Sequence, residues 1–223
     1  MSGLQALKSF VNRNFPWLRD TLRPPKWQFT KIYRTHHWHD PESASGEGSN
    51  LEQTRVIRRE LPNLIADLKV RSMLDIPCGD YYWMQRLDLP CSYIGGDIVE
   101  ELVRKNAESF PGKTFRILDL ISDELPTVDL ILCRDCLVHL SFRNSLRALR
   151  NIKKSGTTYL LTTTYPAKTE NADILTGSWR PLNLEIAPFH FPKPMRFINE
   201  ECPQDGGLQA DKSLALWQIS DLP

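Results

Sequence analysis

The sequence predicts an α/β domain built on a mostly parallel sheet, and three observations predict it. First, Val70–Asp97 (VRSMLDIPCGDYYWMQRLDLPCSYIGGD) reads as strand, glycine-bearing turn, short amphipathic piece, second strand and terminal acid. Second, apolar strand-like runs alternate with helical periodicity from Asp97 to Thr164. Third, two late strand-like runs, 196–199 and 214–219, are split by a turn-rich segment and would close a sheet edge. A strand that ends in a tight turn, followed by a strand that ends in an acid, is how a nucleotide-type cofactor is held at the edge of a parallel sheet. The turn lets backbone approach the ligand, and the acid accepts hydrogen bonds from ribose hydroxyls.

Length and composition bound the rest. The 223 residues suit one α/β domain with additions, and 41% hydrophobic content suffices for a core. A formal net charge of +1 gives no global field toward nucleic acid or membrane. No apolar run approaches a membrane span, and MSGLQALKSF lacks the apolar core of a secretory signal, so a cytoplasmic location is expected. The five cysteines are odd in number and mostly sit in apolar runs, which reads as reduced thiols. Cys133 and Cys136 have zinc or redox spacing, but no second pair completes a metal site, and no metal is expected.

In chain order, residues 1–50 read as a helical and aromatic extension carrying a Gly/Ser lid loop, and 51–223 as the main domain. Met1 to Arg34 interleaves seven basic side chains with aromatics against one acid, Asp20. Such a stretch is either a binding arm for an anionic or stacked partner or an appendage with its charges in water. A transit peptide fits its tryptophans and Pro24-Pro25 poorly. His36, His37 and His39 point different ways in an extended segment, so they do not make a metal cluster. Ser43–Asn50 is an adaptable loop, and Ser49 with Glu52 fits a capping box for the next helix. Ile57, Leu61, Leu64, Ile65 and Leu68 give that helix one buried face, with Pro62 expected to kink or restart it. The loop reads either as a lid that offers backbone N–H groups to an anion or as a plain linker.

Ile98 to Phe110 reads as a helix with Val99, Leu102, Val103 and Ala107 inward. Phe115 to Leu118 is a strand ending at Asp119, and Val128 to Cys133 a buried strand. Ser141 is placed to cap a helix with an apolar face and a basic one, ended by Gly156. Thr158 to Thr164 is a central strand by its β-branched content. The Pro- and aromatic-rich 165–195 is long for a connection, which marks a functional loop.

These residues resemble the class I S-adenosylmethionine-dependent methyltransferases over roughly residues 50–220. The resemblance implies a Rossmann-like, doubly wound, seven-stranded, mostly parallel sheet with an antiparallel last strand. The first motif stands here as Leu74-Asp75-Ile76-Pro77-Cys78-Gly79-Asp80, and the fourth as Asp129 to Leu140. By this resemblance S-adenosylmethionine is the cofactor. Asp75 and Gly79, with Pro77 and Cys78, would line its methionine part. Asp97, followed by Ile98, would take the ribose hydroxyls, and Asp119 with Leu120 would meet adenine. Arg134, Gly46 and Ser49 complete the expected cofactor set. The chain departs from the pattern where Pro77 replaces the first turn glycine and Tyr81 the third. The Ser45–Ser49 loop, PCGDYYWM and Trp179–Leu184 together look like a small bacterial subfamily that implies no particular substrate.

Methyl transfer from a sulfonium needs alignment, water exclusion and a base. Asp135 and His139, four apart at the end of the fourth motif, are the candidate catalytic pair, with the carboxylate fixing the imidazole tautomer. The other reading makes Asp135 a cap or an Arg134 ion-pair partner and seats His139 on a backbone carbonyl. Tyr165, Trp179, Arg180 and Asn183, with Asn171, are the substrate-facing candidates, covered by 165–195 and the N-terminal segment. The expected reaction is O-methylation of a small molecule or a sugar or glycan hydroxyl. The alternatives are an RNA methyltransferase using the basic arm, a non-catalytic S-adenosylmethionine-binding subunit, and a nicotinamide dehydrogenase, which the lost glycines and Tyr81 disfavour.

Overall fold

The computed structural model describes residues 24–38, 40–202 and 209–223, so the readings of 1–23, His39 and the 203–208 turn lie outside the described residues. Seven strands form one sheet: β1 (Ser72–Asp75), β2 (Ser92–Asp97), β3 (Thr114–Ile117), β4 (Leu130–Cys133), β5 (Tyr159–Thr164), β6 (Arg196–Asn199) and β7 (Ser213–Gln218). Their spatial order is β3-β2-β1-β4-β5-β7-β6. β7 runs antiparallel to both β5 and β6, and every other pairing is parallel. The fold is therefore Rossmann-like and doubly wound, with an antiparallel last strand.

Four helices are described: α1 (Pro25–Arg34), α2 (Arg55–Asp67), α3 (Glu100–Ser109) and α4 (Phe142–Lys154). The pleat sorts side chains to two faces. Leu74, Ile131, Leu160 and Ala215 pack with Ala148, Leu149 and Ile152 of α4. Met73, Leu130, Leu161 and Leu214 pack with Ile57, Leu61, Leu64 and Ile65 of α2. Helices on both faces explain why the strands read as continuous apolar runs.

Several local expectations change. Tyr82 to Leu87 keeps only one 3₁₀ turn, Met84–Arg86. Ser49 ends a separate 3₁₀ turn, Glu47–Ser49, and α2 starts at Arg55 without a side-chain cap, so the Ser49/Glu52 capping box does not form. α2 runs unbroken through Pro62. In α3 the inward position belongs to Asn106, not Ala107, because the Asn106 amide donates to the Gly79 carbonyl at 2.8 Å. Ser141 does cap α4, accepting from the Asn144 N–H at 3.4 Å. No helix among the described residues is long and apolar enough to cross a membrane.

Strand order reverses between β1 and β4, where the chain leaves β3 and returns on the other side of β1. Register aligns Asp75 with Gly95 and with Leu132, which brings the carboxyl ends of β1, β2 and β4 to one edge. Open α/β sheets bind ligands in the crevice at such a point.

Candidate functional site

A cavity of about 590 Å³ opens at this point. Its floor is the β1 end with the turn after it: Asp75, Pro77, Cys78 and Gly79. Asp97 and Ile98 follow β2, Asp119 and Leu120 follow β3, and Arg134, Asp135 and His139 follow β4. The roof is N-terminal: Phe29 and Tyr33 of α1, then Trp38 and the loop through Gly46 and Ser49. α1 is tied across the cavity by Lys26 to Glu100 (3.6 Å) and by Arg34 to Glu101 of α3.

The turn after β1 is built by its neighbours rather than by glycines alone. Asp97 accepts the Gly79 N–H at 3.1 Å and the Val99 N–H at 2.9 Å. From the other side, Asp80 accepts the Ala44 N–H at 2.7 Å and the Ser43 hydroxyl at 3.0 Å, while Ser45 Oγ accepts the Asp80 N–H at 3.0 Å. The serine–glycine loop is thus clamped to the turn. Gly79 has φ +54°, and an added Cβ would collide with Ser45 Oγ, so this remaining glycine is required twice over. Tyr81 (φ +60°) turns away from the cavity and packs on Tyr93, Phe110 and Phe115. It does not line the cavity, so Tyr81 itself does not weigh against a nicotinamide cofactor as its place in the glycine pattern suggested.

Two acids are buried at the strand ends. Asp75 is 3% exposed; burial pushes its carboxyl up to about 7, against a 2.8 Å hydrogen bond from the Tyr93 hydroxyl. Burial likewise pushes Asp97 up to about 6, although the Val99 and Gly79 N–H groups oppose it. Asp119 spends its oxygens on the turn after β3, accepting from the Ile121 N–H at 2.8 Å and the Ser122 hydroxyl at 3.0 Å.

At the β4 end the expected Asp–His hydrogen bond is absent, because each partner is claimed by something else. His139 closes a 3₁₀ turn, Leu137–His139, and its Nδ1 lies 2.9 Å from the Ser178 carbonyl. A carbonyl only accepts, so Nδ1 carries the proton and the neutral ring leaves Nε2 as a lone pair. Nε2 has no hydrogen-bond partner among the described residues. Trp38 stacks on the ring with centroids 4.7 Å apart. Burial lowers the His139 pKa against the Ser178 carbonyl and Asp135, which keeps the ring neutral near pH 7. Asp135 sits at φ +50° and accepts the Lys212 ammonium at 2.7 Å and the Arg134 guanidinium at 3.1 Å. Burial alone would raise its carboxyl; Arg134 and Lys212 outweigh burial and hold it well below the usual carboxylate range. A carboxylate held that firmly ionised is a poor base.

The substrate-side expectations divide. Trp179 lines the cavity and is 45% exposed. Tyr165, Arg180 and Asn183 do not line it. Tyr165 is fully buried, with its hydroxyl on Gln209. Arg180 spends its guanidinium on the carbonyls of Ala172, Leu137 and Leu140, at 3.1, 2.7 and 2.9 Å, and so braces the turn that carries His139. Burial lowers its pKa to about 10. Asn183 and Asn171 knit the 165–195 loop to itself. That loop is largely core, since Leu182, Leu184, Phe189 and Phe191 are buried. Arg180→Met is therefore expected to lower the unfolding free energy by about 2 kcal/mol in denaturant titrations, from three lost bonds, although the Leu137 carbonyl keeps the Leu140 N–H and the Leu137 and Leu140 carbonyls keep long bonds from the Ser145 hydroxyl. Affinity for S-adenosylhomocysteine should stay within about threefold, and a large affinity loss at unchanged stability would show that Arg180 touches ligand.

Lys212, Trp38 and Asn106 join the site without having stood out in the sequence. None of the five cysteines forms a disulfide, and no metal-binding cluster of His, Cys, Asp and Glu exists among the described residues.

No protein-family model matches the sequence, and no curated protein matches it. Among solved structures, the fold is similar to the N-methyltransferase NodS from Bradyrhizobium japonicum WM9, in complex with S-adenosyl-L-homocysteine. The TM-score is 0.60 at 14% identity, over 87% of this chain and 98% of that one. It is also similar to the [4+2]-cyclase SpnF, with TM-score 0.51 and 15% identity over 74% of this chain and 81% of that one. An S-adenosylmethionine-dependent methyltransferase from Clostridium acetobutylicum ATCC 824 matches at TM-score 0.42 and 11% identity, over 50% of this chain and only 51% of its own length. At these identities the likeness is one of fold: the chain has the class I S-adenosylmethionine-dependent methyltransferase fold. One relative in fold is a cyclase, so the reaction has to be argued from the site.

Proposed function

We propose that the protein is an S-adenosylmethionine-dependent methyltransferase that methylates a hydroxyl on a small molecule or sugar, with His139 as the base. The observation that carries this reading is one cavity holding both the strand-end acids and a neutral imidazole whose Nε2 is unengaged among the described residues. The cavity's volume lies within the range of small-ligand sites, about 300–1,000 Å³.

The residues present fit the cofactor chemically. Asp97, fixed by two backbone N–H groups, would present an acid to ribose hydroxyls. Asp75 and the Pro77–Gly79 turn, which line the cavity, would offer an acid and close backbone to the methionine part, and Asp119 with Leu120 would border adenine. When bound, the cofactor supplies a methyl group activated by its sulfonium. The chain's own work is then orientation and proton removal. His139 Nε2 takes the proton of the reacting hydroxyl, Asp135 accepts a hydrogen bond from a neighbouring hydroxyl of the acceptor, and Trp38 and Trp179 exclude water and face a ring or sugar.

The test begins with calorimetry on S-adenosylmethionine and S-adenosylhomocysteine. It continues with transfer of labelled methyl to a panel of methyl glycosides and simple phenols. Asp97→Ala should weaken both sulfur ligands by about 100-fold, the loss of charge-assisted bonds to two hydroxyls. No binding of either ligand by the unsubstituted protein would sink the reading. Binding without transfer would favour a ligand-binding subunit.

A further inference from the structure

Four charged side chains are packed beneath the β4 edge of the cavity: Arg134, Asp135, Glu200 and Lys212. Their side-chain exposures are 4%, 23%, 0% and 3%. Stability does not explain them, because a buried charge cluster is often no better than apolar residues of the same volume. Their sharing is uneven. Glu200 takes Arg134 Nε and Nη2 at 3.2 and 2.6 Å, with Lys212 Nζ at 3.5 Å. Asp135 Oδ2 takes Lys212 Nζ at 2.7 Å and Arg134 Nη1 at 3.1 Å. Among the described residues, Asp135 Oδ1 takes only a long 3.3 Å bond from the Thr163 hydroxyl. One oxygen of a partly exposed carboxylate is therefore left with acceptor capacity beside the cavity.

The Asp135 position is over-determined. Its backbone N–H donates to Thr163 Oγ1 at 2.8 Å, and its backbone is left-handed at φ +50°. Left-handed non-glycine residues held by their surroundings cluster at functional sites. The lid loop also passes close by, since a Cβ added at Gly48 would lie 3.2 Å from Asp135 Oδ2 and 3.7 Å from Lys212 Nζ. Lys212 precedes β7, its N–H is bonded to the Gln209 carbonyl, and it lines the cavity.

We propose that Lys212 is a positioning residue of the acceptor site: it clamps the Asp135 carboxylate so that Oδ1 accepts from a hydroxyl adjacent to the one methylated and orients the acceptor, while His139 removes the proton of the reacting hydroxyl. This rests on the methyltransferase reading above. The clamp divides labour between two groups that the sequence presents as a pair. Without Lys212, Asp135 keeps Arg134 but loses its other cation, and its affinity for protons rises. The charged and titratable groups facing Asp135 are Arg134 after β4, Lys212 before β7, Glu200 after β6, His139 on the 3₁₀ turn and the Tyr165 hydroxyl after β5.

The experiment compares the unsubstituted protein with Lys212→Met, Lys212→Gln, Asp135→Asn and the Lys212→Met/Asp135→Asn double variant. S-adenosylhomocysteine calorimetry first shows that each variant is folded, with Kd within about threefold. The carboxyl 13C signal of Asp135, assigned by its loss in Asp135→Asn, is then titrated. It is expected to titrate at least about one pH unit higher in Lys212→Met and Lys212→Gln. For methyl transfer to the methyl glycoside panel, kcat should fall at least about tenfold in the same two variants with the acceptor KM within about threefold, the mark of lost orientation. In the Asp135→Asn background Lys212→Met should add no further loss of kcat. An unmoved 13C titration overturns the clamp. A moved titration with an unchanged kcat also overturns the proposal, since Lys212 then has no part in orienting the acceptor. Failure of the underlying reading looks different: the unsubstituted protein binds S-adenosylhomocysteine but transfers no methyl group, and the positioning role falls with it.

Discussion

His139→Asn is expected to lower kcat for methyl transfer by about 10²–10⁴-fold, the usual worth of a positioned general base. Asparagine is chosen because its amide can still donate to the Ser178 carbonyl, which His139 Nδ1 meets at 2.9 Å. The turn and its packing on Trp38 should therefore survive, and affinity for S-adenosylhomocysteine should stay within about threefold. What is removed is the Nε2 lone pair. The sign of the pH dependence follows from the direction in which burial moves His139. Its pKa is lowered, so the imidazole is the free base at neutral pH and protonates only below the ordinary histidine range. In the unsubstituted enzyme kcat/KM should be flat through neutral pH and fall on the acid side, and His139→Asn should abolish that fall along with the rate. Asp135 cannot supply the limb, because Arg134 and Lys212 keep it ionised throughout that window. A variant that loses less than about fivefold in kcat and keeps the acid limb would remove His139 from proton transfer.

The division between His139 and Asp135 shows where the sequence was informative and where it was not. Strand-end acids are legible because they are local: an apolar run that stops at Asp75 or Asp97 places the carboxylate at the sheet edge whatever the rest of the chain does. Every residue expected to line the cofactor does line the cavity, Gly46 and Ser49 included. Roles in loops were less legible, since tertiary partners decide them. Asp135 and Lys212 lie 77 residues apart, and only the placement of β7 beside β5 brings the ammonium to the carboxylate. Trp38 sat in a histidine-rich stretch that draws attention to metals, yet it is the tryptophan that reaches His139. Arg180 has the chemistry of an anion receptor, but three backbone carbonyls within reach take all of it. Asn106 broke the apolar period of its helix, and a polar residue at an inward position is the kind of signal that could have been followed to the Gly79 carbonyl.

Asp75→Asn is expected to stabilise the ligand-free protein at pH 8 by up to about 4 kcal/mol while weakening S-adenosylmethionine binding. The carboxyl lies 3% exposed with a folded pKa of about 7, against 3.8 for the free group. A carboxyl pKa raised on folding means the native state holds a proton that the unfolded chain has released. Stability therefore falls as pH rises through about 4 to 7, by about 1.4 kcal/mol for each pH unit crossed. At pH 4 the acid is protonated and the cost is absent; at pH 8 it is fully present. Asparagine is neutral at both and its carbonyl still accepts the Tyr93 hydroxyl, which Asp75 meets at 2.8 Å. The gain should thus be large at pH 8, small at pH 4, and visible as a flattened dependence of unfolding free energy on pH between them. Chemical denaturation of both proteins at several pH values measures it. A buried acid that opposes folding persists where its charge has a use, and a cationic ligand beside it would reverse the penalty. Binding of S-adenosylmethionine to the unsubstituted protein near pH 7 should then release protons, read as a dependence of the calorimetric heat on buffer ionisation enthalpy. The Asp75→Asn variant should show both weaker binding and less of that dependence. An equal pH dependence of stability in the two proteins would mean that Asp75 is already ionised without cost, and the site would need another account of its acid.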